Sequence, residues 1–149
     1  MKLMLACTSG GHFATMNGLK PFWSQHNRVW ISDRKADTEA LSDQSQVYWL
    51  PYQGTRDWWT FCTNLPKVCR IVARERPDLI LSTGASLAVS VAIAAKLFGC
   101  RFVYVESISR SQELSLSGKL VYYLADQFYV QWPGLCKKYP KALFKGYAS

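Results

Sequence analysis

The stretch Leu3-Met4-Leu5-Ala6-Cys7-Thr8-Ser9-Gly10-Gly11-His12 decides the fold. Five apolar residues in an unbroken run read as a strand buried on both faces, as in a parallel sheet. A polar, glycine-rich turn follows, and a helix is expected from residue 12 or 13 to about 19, ahead of Pro21. The same strand–turn–helix grammar recurs along the chain. Strands are expected at 28–32, 46–50, 79–82, 101–105 and 127–130. Helices are expected at 57–75, with a possible break at Pro66, at 87–98 up to Gly99, and at 117–125. Residues 33–43 read as a polar, mobile connection, and the tail from Pro133 as a basic loop. Repeated units of this kind imply an α/β, Rossmann-like, doubly wound parallel sheet, whose ligands bind at the carboxyl ends of the strands.

At 149 residues, with 49% hydrophobic and 19% charged side chains, the chain can bury a core as one domain over residues 1–149. A single domain is expected, and the composition argues against disorder. Net charge is +8, which suits an anionic partner. Nucleic acid is disfavoured, because no RNP, KH, zinc-finger or helix-turn-helix signature accompanies the charge. Cys7, Cys62, Cys69, Cys100 and Cys136 show no CxxC spacing, so reduced cytosolic thiols and no metal site are expected. No run approaches the roughly 20 apolar residues of a spanning helix.

Four constellations could carry chemistry. In the first, Gly10 and Gly11 allow close backbone approach after Ser9, and the helix start offers unpaired N–H groups to a phosphate. His12 could donate to that phosphate or take a proton from a hydroxyl. An ordinary capped helix start fits the same residues. The second is Thr83-Gly84-Ala85-Ser86, another tight turn before a helix. That helix is apolar nearly all round, so burial on more than one side is expected. The third is Glu106 with Arg110 after the fifth strand, either a carboxylate and cation facing a sugar phosphate or a structural ion pair. The fourth is the basic region 56–76. There Trp58, Cys62, Leu65, Cys69 and Val72 fall on an expected core face. Trp59, Lys67, Arg70 and Arg74 join Arg56 on a face that suits an anionic membrane or plain solvent.

These residues together resemble the acceptor-side, membrane-recruiting subunit of two-subunit UDP-sugar transferases. The resemblance runs through Ser9-Gly10-Gly11-His12, Pro77-Asp78, Ser82-Thr83-Gly84-Ala85, Val105-Glu106-Ser107 with Arg110, Leu116-Ser117-Gly118-Lys119-Leu120, Asp126-Gln127-Phe128, Gln131-Trp132-Pro133, Tyr139-Pro140 and Gly146. Relatives include the anchor subunit of the enzyme that adds the second N-acetylglucosamine to dolichol diphosphate. They also include PssD-like capsule and exopolysaccharide subunits and, more distantly, the amino-terminal domain of MurG-type enzymes.

The resemblance implies the amino-terminal half of an inverting GT-B glycosyltransferase, without metal or cofactor. A partner chain would carry the UDP-sugar, and the acceptor would be a polyprenyl-diphosphate-linked sugar. Carried over by position, His12 and Glu106 would be catalytic, and Ser9, Gly10, Gly11, Thr83, Gly84 and Arg110 would bind the acceptor or its phosphates. The chain is expected to be without the amino-terminal membrane helix of eukaryotic members, and in place of the acidic residue they carry after the histidine it has Phe13-Ala14-Thr15. A bacterial, peripheral subunit at the cytoplasmic face of the inner membrane is therefore expected. The competing expectation is a scaffold that only docks a catalytic partner to the membrane.

Overall fold

A computed structural model describes residues 1–43, 45–52, 57–84 and 86–146. The strands are β1 (Lys2–Ala6), β2 (Asn27–Ser32), β3 (Gln46–Trp49), β4 (Leu79–Ser82), β5 (Arg101–Val105), β6 (Gln127–Val130) and β7 (Ala142–Phe144). They form one sheet in the order β3-β2-β1-β4-β5-β6-β7. Every neighbouring pair is parallel. The chain builds outward from β1 to β3, then restarts at β4 on the other side of β1. The topological switch point, where ligands of such sheets bind, lies between β1 and β4.

The α-helices are α1 (Gly11–Gly18), α2 (Lys20–Trp23), α3 (Trp58–Glu75), α4 (Ser86–Phe98), α5 (Leu116–Val121) and α6 (Leu135–Lys138). The pleat of β1 sends Met4 and Ala6 into the core shared with α3, α4 and α5, and Leu3, Leu5 and Cys7 into the core under α1 and α2. On the second side Trp30 packs edge-on against Phe13 and Trp23. The Trp23 indole donates to the Met16 carbonyl at 2.8 Å, closing the α1–α2 corner. Helix α4 buries Leu87, Ala88, Ser90, Val91, Ala92, Ala94 and Ala95, as its all-round apolarity led one to expect. It stops at Gly99, whose φ of +70° is left-handed.

Several expectations are corrected. Pro66 does not break α3, which runs on for 18 residues. Proline removes one N–H, and the carbonyl left without its helical donor belongs to Cys62, an exposed residue. The buried stripe of α3 is Asn64, Val68, Ile71 and Val72; of the expected core face only Val72 is buried, Leu65 and Cys69 are half-buried, and Trp58 and Cys62 are exposed. Packing of the last two turns against α4 sets the helix rotation, so Trp58 is left 61% exposed. The connection after β2 holds a 3-10 turn at Glu39–Asp43. It also buries Asp33 and Thr38, whose hydroxyl donates to the Asp33 carbonyl at 2.7 Å. The tail is not a loop: α6 leads into β7, which extends the sheet beside β6. Helix α5 ends at Val121, short of the expected 125. Of the five free thiols only Cys7 is buried, and Cys62 is exposed.

The tail is also tied to the segment before α5. The Glu113 carboxylate bonds Lys138 and the Tyr139 hydroxyl, and pairs with Lys119 at 3.2 Å. The bonds from Lys138 and Tyr139, then Lys119, hold the Glu113 carboxyl down from 4.5 to about 2. A depressed carboxyl contributes to the folded state above its unfolded value and ceases to do so as pH falls through its folded one. A carboxyl-detected NMR titration should therefore place Glu113 well below 4.5, and the tail clamp should loosen between pH 4.5 and about 2. A midpoint at the ordinary value would contradict the clamp.

Candidate functional site

The carboxyl ends of β1, β4 and β5 open into a cleft of about 550 Å³. Its walls carry Thr8, Ser9, Gly11 and His12 after β1, Tyr52 after β3, Ser86 at the start of α4, and Glu106, Ser107, Ser109, Arg110, Ser115, Leu116 and Ser117 after β5. Hydroxyls dominate, with one guanidinium and one imidazole among them. That surface suits a ligand rich in hydroxyl and phosphate oxygens.

His12 is half-buried on the first turn of α1. Its Nδ1 lies 3.0 Å from the Thr83 carbonyl oxygen, and the Thr83 hydroxyl donates back to the His12 carbonyl at 2.6 Å. A carbonyl can only accept, so Nδ1 carries the proton. In the neutral ring Nε2 is then an acceptor, the tautomer a general base needs. Gly84, at φ +135°, makes room for the ring: a Cβ there would fall 2.4 Å from His12 Nδ1. Thr83 and Gly84 are buried, and the contacts they make are with His12. Ala85, in the same turn, lies outside the described residues.

The glycine turn is held by two carboxylates that the sequence reading did not single out. Asp33 accepts from the Ser9 N–H at 2.7 Å and the Ser9 hydroxyl at 2.8 Å. Asp37 accepts from the Gly10 N–H at 2.7 Å. These two N–H groups are engaged by carboxylates, and the bonds shape the loop. The N–H groups of Gly11, His12 and Phe13 precede the first helical bond, from Ala14 to the Gly10 carbonyl. They are the donors the turn leaves for a ligand.

Glu106 is fully buried at the floor of the cleft. Its carboxylate accepts from Tyr104, Ser107 and Ser115. Arg110 is exposed on the cleft wall and, among the described residues, forms no salt bridge with Glu106. Burial and the neighbouring Glu106 push the Tyr104 hydroxyl far above its ordinary value, so it serves as a donor throughout. Sequence reading also missed Tyr52, over whose ring Lys35 sits at 5.8 Å, and Ser115, which caps α5 through the Gly118 N–H. Ser115 carried a signal, since a serine directly before a helix is a usual N-cap. Tyr52 carried none, because a loop after a distant strand delivers it.

The membrane-surface candidates lie on α3 and do not line the cleft. Trp59 is 80% exposed, and Lys67, Arg70 and Arg74 are exposed on the same side of the helix. Arg56 lies outside the described residues. Among these residues no helix is long and apolar enough to cross a membrane, and no group of three or more His, Cys, Asp or Glu converges as a metal site would.

Comparison with known proteins follows the same lines. The family described as "Oligosaccharide biosynthesis protein Alg14 like" matches residues 55–148. The UDP-N-acetylglucosamine transferase subunit ALG14 of Candida albicans is 37% identical over 97% of this chain and 77% of its own length. The human ALG14 subunit is 43% identical over 82 residues, which cover 51% of this chain and only 38% of the relative. Among solved structures, Acinetobacter baumannii MurG superposes on the whole chain with a TM-score of 0.80 at 15% identity, using 46% of its own length. The S. aureus MnaA–UDP structure superposes with a TM-score of 0.77 at 14% identity, using 45% of its length. The fold is thus Rossmann-like and matches the amino-terminal half of a GT-B enzyme.

Proposed function

The chain belongs to the Alg14-like family of oligosaccharide biosynthesis proteins, and we propose that it is the acceptor-side subunit of a UDP-N-acetylglucosamine transferase acting on a lipid-diphosphate-linked sugar. The observation that carries this reading is the 3.0 Å contact between His12 Nδ1 and the Thr83 carbonyl oxygen at the mouth of a hydroxyl-lined cleft. In this account the acceptor's diphosphate meets Arg110 and the first N–H groups of α1. Its sugar hydroxyl approaches His12 Nε2. That hydroxyl oxygen attacks the anomeric carbon of the donor sugar, its proton passes to Nε2, and UDP leaves with the bonding pair, inverting configuration. The donor sits on a partner chain resembling the other GT-B half, and residues 1–149 act as one domain. Capsule and exopolysaccharide assembly are left out, because the relatives that carry the reading are eukaryotic oligosaccharide subunits.

Calorimetry with the purified chain separates the two halves of the reaction. A short-chain N-acetylglucosaminyl-diphosphate-lipid should bind, and UDP-N-acetylglucosamine should not. Binding of the nucleotide sugar alone would reverse the assignment.

Membrane recruitment is assigned to α3, whose exposed Trp59 and basic Lys67, Arg70 and Arg74 suit anionic headgroups. Near such a surface each basic residue contributes about 1 kcal/mol, so Arg70→Glu with Arg74→Glu should weaken liposome binding about thirtyfold or more. Unchanged co-flotation with phosphatidylserine vesicles would place the contact elsewhere.

A further inference from the structure

We propose that Glu106 is the positioning residue of the cleft: its buried carboxylate, seated against Gly118, sets the 107–115 segment so that Arg110 faces the acceptor. The inference rests on the acceptor-side reading above.

Among the described residues, four N–H and O–H groups converge on this carboxylate. Oε1 accepts from the Tyr104 hydroxyl at 3.1 Å and the Ser107 N–H at 2.9 Å. Oε2 accepts from the Ser115 N–H at 3.0 Å, and the Ser115 hydroxyl bridges both oxygens at 2.9 and 3.2 Å. These bonds take up the acceptor capacity of an ionised carboxylate, which leaves no lone pair for a substrate proton. One side chain thereby fixes residues 107 and 115, the two ends of the segment that carries Arg110. The segment is held elsewhere as well, at Glu113 by Lys138, Tyr139 and Lys119. The Trp132 indole donates to the Ile108 carbonyl at 2.6 Å, and Gln131 donates to the Glu106 carbonyl at 3.0 Å.

Gly118 completes the socket. Its N–H donates to the Ser115 hydroxyl oxygen at 3.0 Å, and a Cβ at this position would lie 2.1 Å from Glu106 Oε2. Glycine is therefore required by the carboxylate, not by its own backbone. Adding a methyl group should evict the carboxylate and release the segment with Glu106 still present.

The test compares Glu106→Gln, Gly118→Ala and the double variant, each purified with its partner chain. Transfer is followed from UDP-N-acetylglucosamine to a short-chain N-acetylglucosaminyl-diphosphate-lipid across a pH series. Both single variants should raise the acceptor KM by about tenfold to a hundredfold, with kcat changed far less. The double should be no worse than the worse single, and the shape of the pH profile should not move. Loss of kcat with a vanished acidic limb in Glu106→Gln, beside a normal Gly118→Ala, would make Glu106 a proton carrier and overturn the proposal. Ser115→Ala covers the case in which Gly118→Ala does not fold. A raised acceptor KM there supports the socket, and an unchanged one contradicts it. A wild-type pair that transfers no sugar would defeat the acceptor-side reading itself. A competent wild type with an unaffected Glu106→Gln would defeat only the positioning role.

Discussion

Replacing His12 with alanine should reduce kcat of the assembled transferase by about a hundredfold to ten-thousandfold, the range a positioned general base supplies. The expectation rests on the bond from Nδ1 to the Thr83 carbonyl. That carbonyl fixes which nitrogen is protonated and leaves Nε2 to receive the acceptor's proton. The acceptor KM should change much less, because Arg110 and the α1 N–H groups bind the diphosphate independently of the ring. Steady-state kinetics with varied acceptor separates the two parameters. A variant with full kcat and a raised KM would make His12 a phosphate ligand. A variant unchanged in both would remove it from the site.

Gly84→Ala should be nearly as damaging, although Gly84 never touches the ligand. Two effects act together. The φ of +135° lies where residues with a Cβ are strained, and the new methyl would fall 2.4 Å from Nδ1 and 2.6 Å from Cε1 of His12. The ring has to rotate off the Thr83 carbonyl, and with it goes the tautomer lock. A misplacement of about 1 Å at a reacting group costs on the order of a hundredfold in rate. The loss should fall on kcat, while a melting curve reports the backbone strain separately. Histidine ¹⁵N shifts give a second readout. Nδ1 should be the protonated nitrogen in the wild type and should lose that preference in Gly84→Ala. Wild-type kinetics in a folded Gly84→Ala would show that the ring does not depend on this contact.

The sheet was legible because its strands are short apolar runs between polar turns: β4, β5 and β6 have the boundaries the residues imply. The rotation of α3 was not. Its helical spacing admits two apolar stripes that share Val72, and packing against α4 chooses the one through Val68 and Ile71. Strand β7 was hidden by lysines at 137, 138, 141 and 145, which read as a solvated tail although Ala142 is buried.

At the site, the turn after β1 and the carboxylate after β5 were visible from strand-end logic alone. Their division of labour was not. Asp33 and Asp37 reach Ser9 and Gly10 from a loop after β2, a tertiary contact that leaves no local pattern. Glu106 looked like a candidate base because sequence shows a carboxylate's position and not how many donors surround it. Thr83 and Gly84 looked like ligand contacts because a tight turn before a helix reads the same whether it faces a cleft or supports a neighbour.

The central claim is that this chain supplies the acceptor half of a shared active site. The most direct measurement mixes the purified chain, its partner chain, UDP-N-acetylglucosamine and a short-chain N-acetylglucosaminyl-diphosphate-lipid in detergent, and compares the pair with each chain alone. The account expects transfer from the pair, none from either chain alone, and its loss when His12→Ala replaces the wild-type chain. Full-rate transfer by the partner alone under these membrane-free conditions would contradict it and leave this chain as a membrane dock.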